Sequence, residues 1–175
     1  RGTATSKMRC IDVAALVAAA VMRKNSNTEV IPFDTTVHAH RLNPMDSIMT
    51  NAKVLAGFGG GGTDCASAFR YLNQKSAKGD LIIMVSDNES WFNNGYGYNR
   101  GTNTANEWSA FKKRNPKAKL VCIDLTPNTT TQVNSQVDVL NIGGFSDTCF
   151  EVIQKFIEFG SDKDAWIQTI EKVSL

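Results

Sequence analysis

The stretch that decides the fold is Gly59-Gly60-Gly61-Gly62-Thr63-Asp64, together with the later segment Leu81-Ile82-Ile83-Met84-Val85-Ser86-Asp87. The glycines allow a sharp turn without side chains, and this turn presents the hydroxyl group of Thr63. The later segment is an apolar strand that carries the carboxylate of Asp87 to its C-terminal end. In a parallel α/β sheet both groups are expected at the same edge, where ligands bind. A hydroxyl and a carboxylate are hard oxygen donors that suit Mg²⁺ or another divalent cation.

Helical and strand patterns alternate along the chain. Helices are predicted over residues 7–24, from about residue 46 to residue 55, after residue 64, and over residues 104–114, 145–160 and 164–172. Strands are predicted over residues 28–33, 37–42, 81–85, 119–125 and 137–142. This alternation predicts one α/β domain over residues 1–175, a three-layer sandwich of the Rossmann type with a mostly parallel sheet and helices on both faces.

Composition excludes some classes of function. The chain has 175 residues, 42% of them apolar, which is enough for a core, and a net charge of +2 that does not by itself indicate nucleic-acid binding. The densest basic run contains Lys112, Lys113, Arg114, Lys117 and Lys119, at the expected end of a helix, where cations complement the helix dipole. Contact with RNA is the alternative for this run. The longest early apolar run, residues 13–22, is too short to span a membrane, so we expect a soluble, cytoplasmic protein.

Other chemistry-bearing residues favour structural roles. Four cysteines (Cys10, Cys65, Cys122 and Cys149) are scattered without a Cys-x-x-Cys pair, which favours buried free thiols over disulfides or zinc. The glycine run follows a helix and lacks a following lysine, which argues against a nucleotide-binding loop. His38 and His40 lie two residues apart on a predicted strand, without a nucleophile motif, so a solvent-facing strand edge is favoured over a metal site or a catalytic dyad. No enzymatic activity is predicted.

Two further motifs carry a resemblance to a known family. Residues 86–92, Ser-Asp-Asn-Glu-Ser-Trp-Phe, and residues 141–147, Asn-Ile-Gly-Gly-Phe-Ser-Asp, resemble the von Willebrand factor A domain of the Ro ribonucleoprotein (TROVE) family, which comprises the Ro autoantigen and its bacterial relatives. The resemblance covers almost the whole chain and implies a metal-ion-dependent adhesion site, in which three loops hold a divalent cation. By motif position, Thr63 corresponds to the threonine of the second loop and Asp87 to the aspartate of the third. Asp64 and Ser86 adjoin them and are candidates for contacts around these ligands. Without a metal, Thr63 could cap the following helix and Asp87 could cap a turn.

The first loop of such a site, Asp-x-Ser-x-Ser after the central first strand, is absent from the sequence. The early polar cluster Thr3-Ala4-Thr5-Ser6 contains no aspartate. We therefore expect the first central strand to be missing from this chain, and the chain to be the C-terminal part of a longer protein. A stand-alone protein with a permuted strand is the alternative. Two oxygen donors cannot hold an ion that takes about six, so Mg²⁺ binding is expected to be weak or absent in this fragment.

The resemblance implies a metal-dependent ligand-binding and scaffold domain of a Ro-type RNA-binding protein, involved in noncoding RNA binding and RNA quality control. The rest of the parent protein would bind the noncoding RNA, and a protein partner could donate a carboxylate to the metal. The alternative is an A domain of an adhesion- or chelatase-like assembly unrelated to RNA. Four aromatic residues beside the predicted site could stack on RNA bases, although loop anchoring is favoured: Trp91, Phe92, Tyr96 and Tyr98.

Overall fold

The computed structural model describes residues 9–59, 62–87, 102–126, 137–146 and 148–159. Within these ranges the chain forms five helices and three strands, listed here in chain order: α1 Cys10–Lys24, α2 Ile48–Leu55, α3 Cys65–Gln74, β1 Leu81–Ser86, α4 Thr102–Arg114, β2 Lys119–Asp124, β3 Val139–Gly143 and α5 Thr148–Phe159. The predicted alternation of helices and strands is confirmed from α3 to α5. The predicted helix over residues 164–172 lies outside the described residues, as do the aromatic residues 91–98.

The three strands form one parallel sheet in the order β1-β2-β3, with β2 between its two neighbours. Ile83 of β1 lies opposite Val121 of β2, and Val121 lies opposite Leu140 of β3. Because successive side chains of a strand point to opposite faces, β2 contributes to two separate cores. Helices cover both faces of the sheet, which confirms the predicted three-layer α/β sandwich.

On one face, α3 and α4 pack against the sheet. Phe69 of α3 and Phe111 of α4 are almost fully buried beside Leu120 of β2. The ring of Trp108 lies between these two aromatic rings, with centroids 5.9 Å from each. Aromatic side chains bury large apolar areas, so this cluster is the main anchor of α3 and of the chain that leads into it.

On the other face, α5 packs through Ile153 and Phe156 against Val121 and Ile123 of β2. The ammonium group of Lys119 donates hydrogen bonds to the backbone oxygens of Phe156, at 2.9 Å, and Ile157, at 2.6 Å. These carbonyl groups lie in the last turn of α5, where helix carbonyls lack partners within the helix and the dipole favours a cation. Lys119 therefore ties the end of α5 to the start of the central strand.

The predicted strands over residues 28–33 and 37–42 are wrong. The two segments meet only at one antiparallel bridge, between Phe33 and Val37. The turn between them is held by the carboxylate of Asp34, which accepts a hydrogen bond from the backbone of Thr36 at 3.0 Å. A lone pair of short strands is marginal in water, and no third strand pairs with these segments among the residues that the structure describes.

Helices α1 and α2 form a smaller core of their own. Ala15 and Ala19 of α1 lie against Ala52 and Leu55 of α2, and the small side chains let the helices approach closely. Helix α2 begins at Ser47, whose hydroxyl accepts a hydrogen bond from the backbone of Thr50 at 3.0 Å. Across the described ranges, none of the helices combines the length and the apolar character needed to cross a membrane.

The cysteines are free thiols, and the predicted burial holds for three of them but is wrong for Cys10. Cys65, Cys122 and Cys149 are buried, whereas Cys10 is exposed. Burial raises the pKa of Cys65 to about 12 and that of Cys122 to about 12, so both stay protonated and unreactive near neutral pH.

We expect a thiol reagent such as DTNB at pH 8 to modify Cys10 rapidly and the three buried cysteines only after denaturation. The reason is that the thiolate is the reactive form: burial shields all three thiols, and it also keeps Cys65 and Cys122 protonated. The Cys10→Ser variant should lose the rapid phase in the native protein. Rapid modification of that variant would contradict the described burial.

Candidate metal centre

The two residues predicted to bind a metal come together at the C-terminal edge of the sheet. Thr63 precedes α3, and Asp87 directly follows β1. The Thr63 hydroxyl lies 3.4 Å from Oδ1 of Asp87 and donates a hydrogen bond to it, although the residues are 24 positions apart in the sequence. Both residues are partly buried, so their oxygens share one sheltered position at the edge where ligands bind in parallel α/β sheets.

The segment after β2 holds the backbone of Asp87. The Thr126 hydroxyl donates to the backbone oxygen of Asp87 at 3.1 Å, and the backbone N–H of Leu125 donates to the backbone oxygen of Ser86 at 2.9 Å. Thr126 is itself positioned by Asp124, whose Oδ1 accepts from the Thr126 backbone at 3.0 Å. Asp124 and Thr126 were not predicted from the sequence. Their positions in the sequence could have indicated them, because Asp124 ends β2 and Thr126 follows it. The C-terminal end of β2 lies at the same edge of the sheet as that of β1, its parallel neighbour.

Asp64, and not Thr63, caps α3. Oδ1 of Asp64 accepts a hydrogen bond from the backbone of Ala66 at 3.1 Å, and Oδ2 pairs with the guanidinium group of Arg70. The capping role considered for Thr63 is therefore filled by its neighbour, and the Thr63 hydroxyl is directed to Asp87 instead. Both carboxylate oxygens of Asp64 are engaged by α3, so Asp64 anchors the start of α3 directly beside Thr63.

Ser86, the other residue beside the predicted ligands, ends β1. Its hydroxyl accepts a weak hydrogen bond from the Cys65 thiol, with sulfur and oxygen 3.9 Å apart. This contact joins the end of β1 to the first residue of α3. Ser86 therefore helps to hold the two site-bearing segments together.

Thr63 and Asp87 fit a divalent cation in kind and in spacing. Neighbouring ligands of an octahedral ion at about 2.1 Å lie about 3 Å apart, and the Thr63 and Asp87 oxygens are 3.4 Å apart. Over the described ranges, no group of three or more His, Cys, Asp or Glu side chains could hold a metal. The hydroxyl of Thr63 and the carboxylate of Asp87 are hard oxygen donors, which suit Mg²⁺ better than a soft metal.

The two histidines occupy a different place from the one predicted. They are not on a strand, because residues 37–42 do not form one. The His38 Nε2 atom lies 3.0 Å from Oδ2 of Asp34, and the rings of His38 and His40 pack against Phe58 with centroids 5.6 Å and 5.2 Å away. The backbone N–H of Thr36, with His38 as a smaller contributor, holds the pKa of Asp34 below its usual range.

Much of the basic run serves the fold itself. Lys112 pairs with Asp138 at 2.8 Å and donates to the backbone oxygen of Ala118 at 2.7 Å. Arg114 donates to Oδ1 of Asn73 at 2.6 Å. Lys119, in β2, donates to carbonyl groups in the last turn of α5. Lys112, Arg114 and Lys119 of the run therefore all make contacts within the chain. These contacts favour the helix-end interpretation of the run over a phosphate-binding surface.

Comparison with known proteins places these features in a family. Residues 2–157 match the family model described as the Ro60 vWA domain. The crystal structure of the Ro (RSR) protein of Deinococcus radiodurans is similar, with a TM-score of 0.67 and 19% sequence identity, over 85% of this chain and 29% of that chain. At this identity the likeness shows the fold, and the chain spans less than a third of the Deinococcus protein. No curated protein sequence matches the chain.

Proposed function

This chain belongs to the Ro60 vWA domain family, and we propose that it is a metal-dependent ligand-binding and scaffold domain of a Ro-type RNA-binding protein. The observation that carries the metal dependence is the 3.4 Å approach of the Thr63 hydroxyl to the Asp87 carboxylate. The two groups reach this position from separate elements, at the edge where ligands bind in parallel α/β sheets.

In this proposal Thr63 contributes a neutral oxygen and Asp87 a charged one. Asp87 would contact the ion directly or through a water molecule, and the remaining ligands would come from outside this pair. A bound Mg²⁺ would supply an open coordination position for a carboxylate of a protein partner. The chemistry is ligation without turnover, so the domain would act by binding and not as an enzyme.

We further propose that the domain supports noncoding RNA binding and RNA quality control without gripping RNA itself. The net charge of the chain is only +2. Lys112, Arg114 and Lys119 are engaged within the fold, which leaves few cations of the basic run for phosphates. RNA would therefore be held by other parts of the parent protein. An adhesion- or chelatase-like role unrelated to RNA is less favoured, since the family match is to Ro60 domains.

Titration of Mg²⁺ into the full-length protein tests the metal site. We expect the Asp87→Ala variant to bind Mg²⁺ about tenfold more weakly, or worse, because it removes the charged ligand, and a tenfold loss corresponds to about 1.4 kcal/mol. Isothermal titration calorimetry measures the dissociation constant. The matched control is Asp80→Ala, which removes an exposed carboxylate just before β1, at the opposite end of the same strand.

The control should bind Mg²⁺ as the wild type does, within about twofold, which is less than 0.5 kcal/mol. If Asp87→Ala and the wild type bind Mg²⁺ with equal affinity, Asp87 is not part of a metal site. An equal loss in Asp80→Ala would show that only the general charge of the domain matters.

A further inference from the structure

Asp64 is held at four points. Its backbone N–H donates to the backbone oxygen of Asp34 at 2.8 Å, and its own backbone oxygen accepts from Ser67 at 3.0 Å. One carboxylate oxygen caps Ala66, and the other pairs with Arg70. The side chain of Asp64 is only 4% exposed. These contacts join the turn after Phe33 to the first two turns of α3.

On its N-terminal side, Thr63 follows a run of glycines in the sequence. Residues 59–62 are four consecutive glycines, and glycine has the greatest backbone freedom of all residues. Thr63 is bonded directly to Asp64, so the anchored backbone of Asp64 restricts where the Thr63 hydroxyl can lie. A group that holds Asp64 in place therefore helps to keep the Thr63 oxygen near Asp87.

Within the described residues, Arg70 forms an ion pair with Asp64. It lies in the second turn of α3, and its own side chain is 41% exposed. We infer that Arg70, acting through Asp64, is a positioning residue that holds the Thr63 hydroxyl for the metal. The inference rests on the proposed metal function of Thr63 and Asp87, and it assigns Arg70 no contact with the ion.

Positioning and simple electrostatics predict opposite effects of removing Arg70. Arg70 carries a positive charge near the candidate cation site, so its removal should strengthen Mg²⁺ binding if charge alone matters. If Arg70 positions Thr63, its removal frees the Asp64 carboxylate and should weaken Mg²⁺ binding. The sign of the change therefore distinguishes the two effects.

The test compares Arg70→Gln with the wild type in the full-length protein. We expect Mg²⁺ affinity to fall about tenfold, the lower end of the effects seen when residues that support metal ligands are removed. Arg70→Lys, which keeps a cation, should recover part of the affinity. Amide hydrogen exchange followed by NMR without metal should show faster exchange at Asp64 and Ala66, whose N–H groups bond at this anchor.

The matched control is Lys112→Gln, which breaks a partly buried ion pair with Asp138. Asp138 directly precedes β3 and so lies at the N-terminal edge of the sheet, opposite the edge that carries Asp87. It should leave Mg²⁺ affinity and the exchange of the Asp64 amide unchanged. Unchanged or tighter Mg²⁺ binding by Arg70→Gln would overturn the inference. If the wild type and Asp87→Ala bind Mg²⁺ equally, the proposed function fails instead, and the exchange measurement still decides whether Arg70 anchors Asp64.

Discussion

Replacing Phe69 with alanine should destabilise the domain by about 3–5 kcal/mol, the range for deleting a buried phenylalanine side chain. The side chain of Phe69 is fully buried, with 0% exposure, in the cluster that joins α3 and α4 to the sheet. Its ring also packs against Trp108, with centroids 5.9 Å apart. The substitution would leave a cavity that the surrounding strands and helices can fill only in part.

Urea unfolding followed by tryptophan fluorescence measures this loss, and Trp108 lies directly beside the substituted ring. The matched control is Phe150→Ala in α5. Phe150 is 39% exposed, so this substitution removes less buried apolar area than Phe69→Ala does. We expect the control to cost no more than about 1 kcal/mol. Equal losses for the two variants would contradict the assignment of Phe69 to the core.

Ile123→Ala should destabilise the domain by about 2–5 kcal/mol through the opposite face of the sheet. Ile123 is 1% exposed and lies in the central strand, opposite Val85 of β1 and Ile142 of β3. It packs in the cluster that receives Ile153 and Phe156 from α5. Loss of its side chain would therefore weaken the attachment of α5 as well as the centre of the sheet.

Two further substitutions test whether the loss of stability depends on how much buried side chain is removed. Ile123→Val removes a single methylene and should cost about 0.5–1.5 kcal/mol, well below the alanine variant. Ile157→Ala is the control, since Ile157 is 44% exposed on α5. Urea unfolding of the three variants should rank Ile123→Ala as least stable. A similar loss of stability in Ile157→Ala would contradict the expectation that the buried side chain of Ile123 stabilises the domain more than the exposed side chain of Ile157.

The elements that were predicted well have strong local patterns. The apolar run of β1 is bounded by Asp80 and Asp87, and its length and composition predict a strand. Helix α3 follows a glycine turn and a capping aspartate, so its start could be placed from the sequence. Because parallel strands bring their C-terminal ends to one edge, the approach of Thr63 to Asp87 could also be predicted without coordinates.

The failed prediction, two strands over residues 28–33 and 37–42, shows the limit of local patterns. Alternating side chains allow an extended backbone, but a strand also needs a hydrogen-bonding neighbour, and the pattern does not reveal whether one is present. Here the described residues supply one bridge, between Phe33 and Val37. The histidines were misplaced for the same reason, because their expected positions depended on that strand.

The anchors of the site could not be predicted either. Asp64 was recognised as a neighbour of Thr63, yet the bond from its backbone N–H to Asp34 links residues whose proximity no spacing rule predicts. The bond from Thr126 to Asp87 and the capping of α5 by Lys119 are further examples. Each joins groups from different elements whose relative placement depends on core packing.

The order of residues alone was thus sufficient for the layer architecture, the parallel sheet and the pair Thr63 and Asp87, because these follow from periodicity and from the direction of strands. Packing in three dimensions determined which polar groups support that pair, and which cations of the basic run are used within the fold. The physical reason is that a hydrogen bond or an ion pair depends on distances of a few ångströms. Such distances are set only when the two faces of β2 have been covered by their helices.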